Sequence, residues 1–142
     1  MTSTMTNVTS RTVQVQNYHL HLRESGQGEP VLLLHGFANS SEDWQPTVAF
    51  LGPQGYHALA VDALGFGQSD KPEQIAYSLN LYADLYASLL DALGLTSVTL
   101  VGHSSGGKFA LATALLHPNR VKRLVIVDSE GFVPIPLMMK KG

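Results

Sequence analysis

The stretch LVGHSSGGKFALA, Leu100–Ala112, decides the fold. It joins an apolar run, VTLV at residues 98–101, to a run of small residues, and the junction carries the pattern G-x-S-x-G over residues 102–106. This order predicts a sharp strand-to-helix turn with Ser104 at its tip. Glycine two positions before and after the serine lets strand and helix approach each other. The pattern therefore predicts a nucleophilic serine, and the competing interpretation is a tight turn whose serine only caps the helix.

Outward from this turn, continuous apolar runs alternate with helical patterns. The runs predict four parallel strands covered on both faces, at residues 31–34, 57–61, 97–101 and 121–127. Helices are predicted between them, at residues 44–51, 79–93 and 105–116. Alternating patterns at residues 12–16 and 18–23 predict antiparallel strands at one edge. This rhythm predicts an α/β fold with a doubly wound, mostly parallel sheet.

Composition narrows the functional classes. The chain has 142 residues, 44% of them hydrophobic and 14% charged, which is typical of one folded domain. The formal net charge of -2 argues against nucleic acid as a partner. The absence of cysteine excludes disulfides and thiolate metal sites, and no cofactor or metal is expected. No apolar stretch approaches the length needed to cross a membrane, and no secretion signal is evident, so we predict a cytoplasmic location.

Three motifs occur in order along the chain: HGFANSSEDW at 35–44, DALGFGQSDKP at 62–72 and GHSSGG at 102–107. Together they resemble the α/β-hydrolase family over about residues 31–128. The resemblance implies that Ser104 attacks the acyl carbonyl of a small-molecule substrate. It also implies that the backbone N–H groups of Phe37 and Ser105 form the oxyanion hole, and that the loop 62–70 is structural.

A serine at the nucleophile position narrows the reaction within this family. The resemblance disfavours epoxide hydrolases and haloalkane dehalogenases, because those members use aspartate there. Esterases, lipases, lactonases, peptidases, C–C bond hydrolases, acyltransferases and cofactor-free haloperoxidases stay open.

The general base and the acid are harder to assign. In this family the order is serine, acid, histidine, yet all six histidines fall at or before His117, and none occupies the expected place. Asp128, after the last predicted strand, is either the acid of the triad or a residue that holds its loop. His35 is expected to shape the oxyanion loop, and His103 to pack beneath the turn. His19 and His21, on one face of an edge strand, are expected to be solvated rather than to bind a metal.

The domain organisation follows from the same comparison of motifs. We predict a disordered tail at residues 1–11, the N-terminal part of an α/β-hydrolase domain at 12–131, and the start of a missing cap region or a disordered tail at 132–142. The fold is expected to be truncated after the strand at 121–127, leaving an exposed edge that a second copy or a complementing C-terminal half would cover. Two hypotheses remain: half of a serine hydrolase, or an inactive hydrolase-like domain that serves as a binding or assembly module.

Overall fold

A computed structural model describes residues 7–127 of the chain. In this range the apolar runs form six strands: β1 Thr9–Val15, β2 Tyr18–Ser25, β3 Glu29–Leu34, β4 Tyr56–Val61, β5 Val98–His103 and β6 Val121–Val127. Three α-helices connect them: α1 Gln45–Leu51, α2 Leu79–Leu93 and α3 Ser105–Leu116. Short 3-10 turns lie at Ser41–Trp44, Gly52–Gln54 and Pro118–Arg120.

The strands form one sheet in the order β1-β2-β4-β3-β5-β6. β3 pairs in parallel with β4 and with β5, and β5 pairs in parallel with β6, whereas β1 and β2 are antiparallel. The predicted α/β class with a mostly parallel sheet is therefore confirmed. After β3 the chain moves to β4 on one side and then to β5 on the other. The carboxyl ends of β3 and β5 thus flank the topological switch point, where ligands bind in open α/β sheets.

Helices cover both faces of the sheet. Alternate side chains of β3 divide between the two faces: Leu32 packs in the core under α2 and α3, while Leu33 packs with Val48 of α1. This explains the continuous apolar run of β3, since a strand covered on both sides has no polar face. Helix α2 begins where the Ser78 side chain accepts the N–H of Leu81 at 3.0 Å, and it ends at Gly94 with φ +71°, as predicted.

Several predicted boundaries differ from those of the structure, among them the starts of β1 and α1. β1 begins at Thr9, so residues 9–11, which were assigned to a disordered tail, are part of the sheet. They pair with residues 22–24 because β2 is longer than expected, and Arg11 forms an ion pair with Glu24 across the two strands. The helix predicted from residue 44 starts at Gln45, and the Ser40 hydroxyl caps a preceding 3-10 turn by accepting the N–H of Glu42.

Other expectations concern parts of the chain outside the described residues. Asp128 and the segment 132–142 lie there, so the proposed acid and the cap region stay predictions. Within residues 7–127 the helices are all too short or too polar to span a bilayer. The cytoplasmic location also stays a prediction.

Candidate active site

Ser104 occupies a strained turn between β5 and α3. Its backbone angles are φ 57° and ψ −121°, a region that residues with a side chain rarely adopt. An ordinary N-cap residue has an extended backbone, and its side chain accepts an N–H of the first helical turn. Ser104 has neither feature, because its backbone is not extended and its side chain makes no capping hydrogen bond. The interpretation of this serine as a simple helix cap is therefore wrong.

Two glycines let three backbone segments meet at this turn. A Cβ added to Gly102 would lie 2.3 Å from the carbonyl oxygen of Gly106. A Cβ added to Gly106 would lie 2.5 Å from the carbonyl oxygen of Leu34 and 2.6 Å from that of His35. The end of β5, the start of α3 and the end of β3 are thus in direct backbone contact. The glycines of the G-x-S-x-G pattern are required by this packing rather than by the conformation of the glycines themselves.

The loop after β3 approaches Ser104 from the side of the switch point. A Cβ added to Gly36 would lie 3.4 Å from the Cβ of Ser104, so Phe37 follows directly beside the serine. Within residues 7–127 no hydrogen bond uses the backbone N–H of Phe37 or of Ser105. For Ser105 the reason is its place as the first residue of α3, where an N–H has no acceptor within the helix. Among the described residues, these two backbone donors near the serine therefore have no acceptor.

His35 holds this loop in place. The ring is buried, with Nδ1 2.7 Å from the carbonyl oxygen of Gly36 and Nε2 3.0 Å from the backbone nitrogen of Ala63. Because the Ala63 N–H can only donate, Nε2 accepts, and Nδ1 carries the proton that it donates to Gly36. Both ring nitrogens are occupied, so His35 has no free nitrogen with which to accept a proton from Ser104.

His21 lies in the interior, which corrects the prediction of a solvated strand surface. Its Nδ1 is 3.0 Å from Oδ2 of the buried Asp62. The side chain of Asp62 also accepts the N–H groups of Ser41 at 2.6 Å and Gln68 at 2.9 Å. Burial by itself raises the pKa of Asp62, but the hydrogen bonds from Gln68, Ser41 and His21 outweigh it, so the pKa of this carboxyl lies below its usual value. The loop that follows β4 is thus built around a buried carboxylate.

The remaining histidines are held elsewhere. Three of them have a ring nitrogen within 3.4 Å of a carboxylate oxygen, in the pairs His19–Asp70, His57–Glu24 and His117–Asp84. His103 precedes Ser104 at the end of β5, and its Nδ1 would lie 3.5 Å from a Cβ added to Gly36. Across residues 7–127 there is no cluster of three or more histidine, aspartate or glutamate side chains that could bind a metal.

Two cavities lie beside the turn. The larger, of about 510 Å³, is walled mainly by aromatic and aliphatic side chains: Phe37, Phe66, Tyr77, Leu79, Tyr82 and Phe109. The smaller, of about 370 Å³, is bounded by His35, Asp43, Trp44, His103 and Val127. The larger volume falls in the range of small-molecule sites. The sequence analysis named Phe37 among these residues, but only for its backbone N–H, and it missed Phe66, Tyr82 and Phe109 as wall residues.

Comparison with known proteins assigns the class that this turn and sheet define. Residues 29–141 match the family model of the alpha/beta hydrolase fold. The chain therefore belongs to the α/β-hydrolase family, as its motifs predicted.

Several hydrolases are similar in sequence or structure. The chain is 40% identical over 123 residues to a 2-hydroxymuconate semialdehyde hydrolase from Pseudomonas putida, covering 85% of this chain and 43% of that protein. It is 36% identical over 122 residues to epoxide hydrolase 2 from Siraitia grosvenorii, covering 85% of this chain and 39% of that protein.

Among solved structures, a membrane phospholipase A described as a bacterial virulence factor superposes with a TM-score of 0.81 at 32% identity. That alignment covers 86% of this chain and 40% of the phospholipase chain. An epoxide hydrolase from Vigna radiata superposes with a TM-score of 0.76 at 32% identity, covering 84% of this chain and 39% of that one. The chain thus spans about two fifths of the length of these relatives.

Proposed function

We propose that Ser104 is the nucleophile of a serine hydrolase that cleaves carboxylic esters or related acyl bonds. Its Oγ bonds to the acyl carbonyl carbon while a base removes the hydroxyl proton, and the carbonyl oxygen becomes an oxyanion. The bond to the leaving group then breaks, the leaving group takes the proton, and water releases the acid from the acyl-enzyme. The observation that carries this proposal is the strained Ser104, flanked by the N–H groups of Phe37 and Ser105, which have no acceptor within residues 7–127.

The two N–H groups have a specific role in this mechanism. Negative charge develops on the carbonyl oxygen only after attack, so donors fixed in advance stabilise the transition state more than the substrate. Loss of one such donor costs about 3 kcal/mol in known acyl-transfer enzymes. The positions of Gly36 beside Ser104 and of Ser105 at the start of α3 support this assignment to Phe37 and Ser105.

The general base is proposed to come from outside these 142 residues. His35 has both ring nitrogens engaged, and four other histidines lie against carboxylates. His103, whose Nδ1 lies near Gly36, is proposed to pack beneath the turn rather than to act as the base. The acid of the triad is proposed to be either Asp128 or a group that is supplied together with the base. A second candidate function, a hydrolase-like domain that binds without catalysis, is favoured by the same engagement of the histidines.

The serine at position 104 also bears on which reaction, among those of the relatives, is proposed for this chain. Epoxide hydrolases are expected to carry aspartate at the nucleophile position, and Ser104 stands there in this chain. An acyl bond is therefore the proposed target, while esterase, lactonase, peptidase and C–C hydrolase activities all fit a serine nucleophile.

The missing groups are proposed to dock along β6. This strand is the last of the sheet within residues 7–127, and Val125 and Val127 are 44% and 39% exposed. The carbonyl oxygen of Val127 accepts the N–H of Ser104 at 3.2 Å, so a strand added next to β6 would lie one strand away from the nucleophile. Either a second copy of the chain or a complementing segment would cover this edge. Sedimentation gives the mass of the chain in solution, and comparison with Val125→Lys shows whether the chain self-associates through β6.

Fluorophosphonate labelling with an added base tests the function. The purified chain is incubated with the probe with and without imidazole, and the adduct is measured by intact mass. We expect slow labelling that imidazole accelerates at least tenfold, because a small base replaces the one that the chain lacks. Ser104→Ala should remove the adduct, and Ser105→Ala, which keeps the backbone N–H, should not. A folded chain that stays unlabelled with imidazole present would contradict the proposal and support the non-catalytic module.

A further inference from the structure

The larger cavity has a uniformly uncharged wall. No side chain among the described residues that line it carries a formal charge. We propose that this cavity binds an uncharged aryl group of the substrate. As a substrate assignment the inference rests on the proposed hydrolase function, but the binding itself depends only on the cavity.

The polar groups in the wall are already engaged with the backbone. The Tyr82 hydroxyl donates to the carbonyl oxygen of Leu64 at 2.7 Å, and the Tyr77 hydroxyl donates to that of Pro72 at 2.5 Å. The Ser78 hydroxyl oxygen accepts the N–H of Leu81. Each tyrosine therefore presents its ring to the cavity rather than its hydroxyl. A charged ligand would lose water here without gaining an ion-pair partner, so the wall selects uncharged groups.

The wall is aromatic on two sides. Tyr82 stacks on Phe109 with ring centroids 4.3 Å apart and on Tyr77 at 6.1 Å, both at interplanar angles near 27°. Phe37 meets Phe66 edge to face at 5.3 Å and 72°. A planar ring entering between these two groups can continue either arrangement, stacked or edge to face, whereas a saturated ring of the same size cannot. We expect about a fivefold preference for the aryl ring on this ground.

The wall is physically joined to the proposed reacting centre. Phe37 contributes its ring to the cavity and its backbone N–H to the proposed oxyanion hole. Phe109 lies on α3, which begins at Ser105 directly after the nucleophile. A group bound between Phe37 and Phe109 is therefore held by the two segments that flank Ser104. This explains how a cavity that does not include Ser104 in its wall can still fix the position of a carbonyl beside it.

The test uses three probes with the intact chain. Acetophenone is a neutral aryl ketone, cyclohexyl methyl ketone has a saturated ring of matched size, and benzoate adds a charge. Binding is measured by chemical-shift changes in NMR titrations. We expect acetophenone to bind about fivefold tighter than the cyclohexyl ketone and at least tenfold tighter than benzoate. Equal binding of the three probes would overturn the proposal.

Variants locate the binding. Phe37 is 71% exposed, so Phe37→Ala should fold while weakening acetophenone binding at least fivefold. Leu79→Trp, at a half-exposed rim position, should fill the cavity and abolish binding. Phe50→Ala is the matched control, because Phe50 is 51% exposed on α1 and lines neither cavity. An equal effect of Phe37→Ala and Phe50→Ala would overturn the assignment.

One variant separates this inference from the proposed function. Ser104→Ala removes the nucleophile but leaves the cavity wall, so acetophenone should bind to it as to the unmodified chain. An unmodified chain that binds acetophenone but stays unlabelled with imidazole present would overturn the hydrolase and keep the aryl site. Normal labelling of Ser104 without any acetophenone binding would overturn the aryl site and keep the hydrolase.

Discussion

Gly102 and Gly106 are in backbone contact across the turn that carries Ser104. A Cβ on Gly102 would lie 2.3 Å from the carbonyl oxygen of Gly106, closer than any real Cβ contact. Backbone cannot move aside as the end of a flexible side chain can, so strand and helix must separate. We expect Gly102→Ala to lower the free energy of unfolding by about 3 kcal/mol, at the upper end for overpacked sites, measured by urea denaturation.

Gly36→Ala is the control for this prediction. Its added Cβ would meet the Ser104 Cβ at 3.4 Å, an ordinary van der Waals distance, so stability should change by less than about 1 kcal/mol. If Gly102→Ala were as stable as Gly36→Ala, the close backbone packing of β5 against α3 would be wrong.

The backbone of Ser104 leads to a second prediction. A residue with a side chain at φ 57° and ψ −121° stores about 1–3 kcal/mol of strain, which glycine does not have. Glycine also costs about 0.5–1 kcal/mol more in backbone entropy on folding than alanine. The strain is the larger effect, so Ser104→Gly should be more stable than Ser104→Ala by about 1 kcal/mol in urea unfolding. An equal or lower stability of the glycine variant would show that the turn is unstrained.

The sequence predicted the elements around this turn well, because each carried a local signal. Ser78 and Gly94 marked the ends of α2, and the bounds of α3 and β6 were correct to the residue. The buried position of His21 was missed for a physical reason. Its partner Asp62 lies 41 residues away, and the two meet only after β2 has paired with β4. No pattern local to His21 reports that pairing.

The aromatic cavity was missed in a similar way. Phe66 lies in the loop after β4 and Phe109 on α3, and no pattern local to either residue indicates a shared wall. They share one wall because the switch point brings the ends of different strands together. The G-x-S-x-G pattern, in contrast, is contiguous in sequence, so the turn at Ser104 could be predicted without the fold.

Ser105 provides a third prediction, which concerns the effect of its hydroxyl on stability and not the role proposed for its backbone N–H. Its hydroxyl is buried and has no hydrogen-bond partner within residues 7–127. Removing an unsatisfied buried hydroxyl costs nothing in hydrogen bonds and can stabilise the protein. Ser105→Ala should therefore leave the free energy of unfolding unchanged or raise it by up to about 1 kcal/mol. A loss above about 1 kcal/mol would mean that the hydroxyl has a partner.

Asp62 provides the last prediction, which concerns acid stability. The carboxylate is buried and accepts hydrogen bonds from Ser41, Gln68 and His21. Asp62→Asn keeps the shape but replaces one acceptor oxygen by a donor that faces other donors. We expect a loss of about 3 kcal/mol in the free energy of unfolding at pH 7. Asp91→Asn is the matched control, because that side chain is 70% exposed and its ion pair with Arg120 should contribute little.

The pH dependence of this loss has a definite sign. Because the pKa of Asp62 is lowered in the folded chain, the unfolded chain takes up the proton first as the pH falls. The stabilisation by Asp62 is complete above its ordinary value of 3.8 and declines below it, as the pH approaches the lowered pKa of the folded state. Urea unfolding is measured between pH 7 and pH 2.5. The difference in the free energy of unfolding between the unmodified chain and Asp62→Asn should narrow only below about pH 4. A gap that is constant down to pH 2.5 would mean that the carboxylate does not act through its charge.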